Sequence, residues 1–287
     1  MDRFKARVWL STVCSLALVM GLATGCHTLP RPVMPIENAA LALRLHASLR
    51  RPIRSVSTVS RVEQRGPQGR IRGTVWGLIA LPDRLRFDVM TSLGPAATLT
   101  SDGRDIALLD QREGRYFAGP TCAANVARFL GVALAASDVA TLLIGGVPVD
   151  GATGSTIETI PGGYDLVIPS SSDGGHVRAR LLVRDGDERV EPLQQHLRLA
   201  RLEVLDSTER LKLVISYDDY RVVADEDDIS ETPRGVAMPF VVRIDDRASN
   251  AELLVRFTEI SLNVEIVDDA FVQSPPGRMV VERAECD

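Results

Sequence analysis

Aromatic residues are scarce in this 287-residue chain: two Trp, four Tyr and seven Phe make up 5% of it. Sites that bind sugars or bases stack them on aromatic faces, so the shortage argues against such a groove and leaves an aliphatic pocket as the expected kind. Lysine occurs only at Lys5 and Lys212, and the net charge is −5, so a basic nucleic-acid face is not expected. No Gly-x-Ser-x-Gly elbow, His-Glu-x-x-His pair, P-loop or Gly-x-Gly-x-x-Gly occurs, and these are the strongest short signatures of hydrolases, zinc proteases and nucleotide sites. His27, His46, His176 and His196 stand beside no nucleophile motif and read as ordinary surface or helix residues. Asp218-Asp219 and Asp225-Glu226-Asp227-Asp228 lack the alternating ligands and glycine of a calcium loop and read as solvated turns. Asp185-Gly186-Asp187 reads as a hairpin tip. Catalysis, a cofactor and a metal are therefore not expected.

A long hydrophobic run is missing too. The apolar stretch Val8 to Leu22 ends after 15 residues and is interrupted by Ser11, Thr12 and Ser15, whereas a membrane span needs about 20. It follows Arg3, Lys5 and Arg7 and precedes Ala23-Thr24-Gly25-Cys26. This order resembles a bacterial lipoprotein precursor with a lipobox, and an uncleaved transmembrane anchor is the alternative. The resemblance implies that residues 1–25 are a cleaved signal peptide and that Cys26 becomes the first residue, acylated with palmitate-like chains on its thiol and amine. Asp after that cysteine marks inner-membrane retention in enteric lipoproteins; His27 permits sorting to the periplasmic face of the outer membrane, with the inner membrane as the alternative.

Only four cysteines are present. Cys14 leaves with the signal and Cys26 is taken by lipid, so Cys122 and Cys286 remain in an oxidising envelope. An even pair there suggests a disulfide. Two separate thiols are the alternative, because spacing alone does not bring Cα atoms within about 7 Å.

No Gly-, Pro- or Ser-rich linker divides the rest, which predicts one domain over residues 36–287. Pro30, Pro32 and Pro35 make residues 26–35 an extended tether. Leu41, Leu45 and Leu49 then recur every four residues, predicting a helix over Ile36 to Leu49. From there the apolar period falls to two. Leu85, Phe87 and Val89 alternate with Arg84, Arg86 and Asp88; Val177 to Arg184 and Leu211 to Asp218 repeat the pattern. Turns at Gly66-Pro67, Asp102-Gly103, Glu113-Gly114, Gly162-Gly163, Gly174-Gly175 and Asp185-Gly186 predict an antiparallel meander. The apolar phase shifts between Phe257 and Ile260, which predicts a bulge near Glu259. Ile71 to Leu81 is apolar in both phases, which predicts a strand covered on both faces. Val126, Phe129 and Leu130 before Gly131, and Val139, Leu142 and Leu143 behind a Ser137 cap, predict a short helical hairpin.

The expected fold is mainly β (α+β): a curved antiparallel half-open barrel whose concave side is plugged by the N-terminal helix and the mid-chain helical hairpin. Trp76, Leu78, Phe87, Val89, Phe129, Leu142, Leu143, Val255 and Phe257 form the candidate ligand surface, with a filled core as the alternative for each of them.

The run from Gly73 to Pro148 is similar to the LolA/LolB group of lipoprotein carriers. The likeness lies in Gly73-Thr74-Val75-Trp76, Leu85-Arg86-Phe87-Asp88-Val89, Leu93-Gly94, Thr98 to Gly103, Arg115 to Gly119, Phe129-Leu130-Gly131 and Leu142 to Pro148. The segment Leu262-Asn263-Val264 through Phe271 to Pro275-Pro276-Gly277 is similar to that group's closing strand. The resemblance implies an incomplete barrel that holds acyl chains of lipoproteins, without catalytic residues, and a protruding loop with Leu93 as its membrane-inserting residue. The partners it implies are a membrane reached through the anchor, an acylated ligand or lipoprotein, and a periplasmic carrier. A non-carrying scaffold lipoprotein is the alternative function.

Overall fold

Alternating strands dominate, as the period-two pattern requires. The computed structural model describes residues 29–67, 69–130, 134–148, 152–170, 174–225, 235–267, 269–277 and 279–286. The signal segment, Cys26, His27, Gly131 and Glu226-Asp227-Asp228 lie outside the described residues. Arg31–Asp287 group as one unit.

Six strands come first: β1 (Ser55–Gly66), β2 (Gly69–Ala80), β3 (Arg84–Thr91), β4 (Gly94–Ser101), β5 (Asp105–Asp110) and β6 (Arg115–Pro120). After two helices follow β7 (Thr156–Ile160), β8 (Gly163–Pro169), β9 (His176–Val183), β10 (Leu197–Leu205), β11 (Leu211–Ala224), β12 (Gly235–Asp246) and β13 (Ala251–Leu262). A short β14 (Val281–Arg283) ends the chain. All belong to one sheet in the order β14-β6-β5-β4-β3-β2-β1-β13-β12-β11-β10-β9-β8-β7. Two meanders thus grow outward from a central β1–β13 pair. The expected phase shift is a bulge there: Val59 pairs with Glu259 and Ser60 with Phe257, which leaves Thr258 unpaired.

The chain after β13 crosses the outer face of the first meander. Arg86 donates to the Ala270 carbonyl, Tyr116 to the Gln273 carbonyl, and the Gln273 amide to the carbonyls of Thr98 and Ala107. This strap buries Phe271 and ends as β14, parallel to β6. Cys286 is bonded to Cys122, 164 residues earlier, with the Cα atoms 6.2 Å apart. The approach is close: a Cβ on Gly119 would overlap the Ala284 carbonyl oxygen.

Helix α1 (Ala39–Ser48) is capped by the Asn38 side chain, which accepts from the Leu41 amide. Its buried face is Ala39, Ala42, Leu43 and His46, not the Leu41, Leu45 and Leu49 stripe that the spacing predicts. Small residues let the helix lie close on β10, and the leucines flank that contact half-buried. Ahead of the helix, Tyr164 Oη accepts from the Ile36 amide and donates to Gln195, whose amide reaches the Met34 carbonyl.

The helical hairpin comprises α2 (Ala123–Leu130) and α3 (Ala136–Leu143). The N-cap of α3 is Ala135, without a side-chain bond, so Ser137 lies inside the first turn rather than capping it. Asp187 also differs from expectation. It is 5% exposed and accepts from Arg184 and from the backbone amide and ring of His196, so it anchors the β9–β10 connection instead of standing in water.

Candidate functional site

A cavity of about 250 Å³ lies on the concave side, between the central strands and the two short helices. Its sheet wall comes from β1 (Thr58, Ser60, Val62), β2 (Val75, Ile79), β3 (Phe87, Val89), β12 (Val242, Ile244) and β13 (Leu253, Val255, Phe257). Phe129, Leu130, Leu134, Val139, Leu142 and Leu143 form its roof. Gln64, Ile71, Arg72 and Gly73 border the end nearest the β1–β2 turn.

The space follows from residue size. Thr58, Ser60 and Gly73 occupy inward positions of β1 and β2, where the second meander has Leu and Ile. The two hydroxyls add little polarity, because Thr58 Oγ1 donates to the Gly77 carbonyl and Ser60 Oγ to the Val75 carbonyl. Such a lining takes alkyl groups and offers few directional partners to a polar ligand.

Seven of the nine candidate residues line this cavity: Phe87, Val89, Phe129, Leu142, Leu143, Val255 and Phe257. Trp76 and Leu78 do not. They sit on the other parity of β2, whose inward positions are Ile71, Gly73, Val75 and Ile79. Trp76 is 48% exposed, so β2 is not covered on both faces along its length. Both phases of β2 carry large apolar residues, Val75 and Ile79 on one and Trp76 and Leu78 on the other, so alternation alone does not say which of them faces inward. Val75, Ile79, Val242 and Ile244 also line the cavity and were not among the nine candidates. Their signal lies in the register, which sets Val75 opposite Val89 and Val242 opposite Val255.

The helical roof is held at both ends. Cys122, immediately before α2, carries the disulfide, and Asn125 donates to the carbonyls of Pro120 and Ala284. At the far end Arg50, buried just beyond α1, donates through Nε to the Ile144 carbonyl at the α3 C-terminus and through Nη1 to the His46 carbonyl. A guanidinium at a helix C-terminus meets the negative end of the helix dipole. His46 is buried against it, with Nδ1 3.1 Å from the Leu197 carbonyl oxygen. Burial, and then the charge of Arg50, lower its pKa to about 3, so the imidazole is neutral. Burial also pushes the Tyr220 hydroxyl up to about 12, which keeps it a donor to the Leu199 carbonyl.

The polar side chains among the described lining residues are those of Thr58, Ser60, Gln64 and Arg72. Among the described residues no group of three His, Cys, Asp or Glu could hold a metal ion. None of the described helices is long and apolar enough to cross a membrane. Leu93 stands at the tip of the β3–β4 turn, 91% exposed.

No protein-family model matches the sequence, and no curated protein matches it. Solved structures do resemble the fold. A DUF1329 family protein from Desulfovibrio piger superposes with a TM-score of 0.52 at 10% identity, covering 82% of this chain and 98% of that one. A domain from Vibrio parahaemolyticus, described as an outer membrane lipoprotein-sorting protein, gives a TM-score of 0.50 at 10% identity over 80% of this chain and 95% of its own. A LolA superfamily protein from Nitrosomonas europaea covers 83% of this chain at 13% identity, with a TM-score of 0.49. The open, curved sheet roofed by helices that is described above is the fold shared with the Desulfovibrio and Vibrio structures.

Proposed function

We propose that this protein is a lipid-anchored envelope protein that takes acyl chains into its concave cavity, receiving lipoproteins or lipids at the outer membrane. The observation that carries this reading is the aliphatic cavity beneath a two-helix roof tied at its ends. Its volume of about 250 Å³ falls just short of the ~300 Å³ at which small-ligand sites begin. Part of an acyl chain fits as the roof stands, and a longer one enters as α2 and α3 lift. Each methylene removed from water contributes about 0.8 kcal/mol, so a few give reversible capture. Phe129, Leu142 and Leu143 gate the cavity in this reading, Leu93 touches the bilayer, Cys26 carries the anchor, and a periplasmic carrier supplies the cargo. The chemistry is non-covalent throughout.

Native mass spectrometry of the full chain carrying Cys26→Ala tests this. Bound fatty-acyl mass, lost on Val75→Phe, supports it. A protein free of lipid when isolated from membranes, and unable to take up a fluorescent fatty acid, overturns it and leaves the scaffold role.

A further inference from the structure

The outer face of the central strands carries a concentration of arginine that the chain's net charge of −5 does not foreshadow. Arg61 and Arg65 on β1, Arg70 and Arg72 on β2, and Arg256 on β13 gather there. The hairpin's one carboxylate, Glu63, is shared by three of them, Arg65 at 2.7 Å, Arg72 at 3.0 Å and Arg70. Their guanidinium groups hold its pKa down near 2.

Arg61 and Arg256 are directly opposed in the β1–β13 register, and both are exposed. Like charges in that position repel. Elsewhere the fold neutralises such a pair: opposed Arg180 and Arg201 are matched by Asp165 and Glu203. No carboxylate lies within ion-pair distance of Arg61 or Arg256 among the described residues. Beside them Thr74, the β2 partner of Arg61, is two residues from half-exposed Trp76 on the same face. Guanidinium groups bind phosphate bidentately, and an exposed indole settles at the headgroup level of a bilayer.

We propose that this face, Arg61 and Arg256 flanked by the Arg65-Arg70-Arg72 cluster and Trp76, docks on an anionic lipid surface. The pairing of uncompensated arginines with an interfacial aromatic favours that occupant over an acidic protein segment, for which the indole has no role. The proposal stands apart from the cavity and its cargo.

The full chain carrying Trp9→Phe and Cys26→Ala has Trp76 as its sole tryptophan. With phosphatidylcholine vesicles containing phosphatidylglycerol, Trp76 emission shifts blue and is quenched by lipids brominated in their acyl chains. Pure phosphatidylcholine leaves it unchanged, and high salt reverses the shift. Arg61→Glu with Arg256→Glu weakens binding at least about tenfold, and Arg61→Gln with Arg256→Gln by less, with unchanged circular dichroism and melting. Equal response to both vesicle types, an unshifted Trp76, or unaffected binding by the charge variants overturns the proposal. Retention on immobilised polyglutamate without vesicle binding overturns it in favour of an acidic protein partner.

Discussion

The two meanders share one sheet and one alternation of apolar and polar residues, yet one is filled and the other hollow. In the second meander the inward residues Tyr164, Leu166, Leu181, Leu199, Leu202 and Ile215 are at most 1% exposed, with α1 laid on β10. In the first, and on β12–β13 next to it, Val75, Phe87, Val89, Ile244 and Leu253 are only half-buried beneath α2 and α3. The difference lies in the cover. A ten-residue helix with Ala39 and Ala42 on its buried face lies close on β10. Two eight-residue helices over a floor of Thr58, Ser60 and Gly73 leave the cavity. Periodicity marks which side chains point inward, and the fit of the cover decides whether they become core or lining.

The comparison breaks first on truncation. Leu181→Ala removes a fully buried side chain and is expected to cost about 3 kcal/mol in urea unfolding. Leu143→Ala, on the half-buried cavity lining, is expected to cost about 1 kcal/mol. Equal costs would mean that the first half is as well packed as the second.

A second test is with pH. The His46 pKa is about 3 in the folded protein against 6.5 unfolded. The unfolded chain therefore binds the extra proton as pH falls, and this contribution is complete above pH 6.5 and is lost below it, by about 1.4 kcal/mol per unit. By pH 5 the loss is about 2 kcal/mol. Replacing His46 with Leu flattens the stability profile between pH 6.5 and 5; an unchanged profile would show that the imidazole is not buried neutral. The depressed carboxylates Glu63 and Asp206 act in a more acidic window.

Arg50→Met separates roof from floor. It removes the donors to the Ile144 and His46 carbonyls, each a charged hydrogen bond of about 1.5–3 kcal/mol before relaxation. Hydrogen exchange of α3 amides should quicken while β9 and β10 keep their protection. Uniform acceleration would show global destabilisation instead. Val75→Phe is expected to change stability by no more than about 1.5 kcal/mol, because the added ring enters open space. A larger loss by thermal melting would mean that the cavity is not available to a guest.

Much of the strand order was legible. The six turn pairs named all fall at the junctions of consecutive strands, with Gly66 ending β1 and Gly163 opening β8, and the apolar phase shift located the bulge to within one residue of Thr258. Periodicity failed where composition blurred it. Leu41, Leu45 and Leu49 gave a convincing stripe, but the alanines beside them allow the tighter contact. On β2 both phases carry apolar residues, and periodicity alone placed Trp76 and Leu78 in the cavity that the opposite phase lines. Arg50 and His46 carried no local mark, because their partners, Ile144 and Leu197, are 94 and 151 residues away.

The sequence by itself determined the mainly β fold, the positions of its hairpins, and the inward parity of Phe87, Val89, Val255 and Phe257, since alternation and turn chemistry act between near neighbours. Only the tertiary structure decided that the inward side chains line a cavity, that Trp76 on the other β2 face stands half-exposed, and that Arg61 and Arg256 stand opposite one another. Those depend on register and on how closely a helix can approach a sheet, and both are fixed by contacts between residues far apart along the chain.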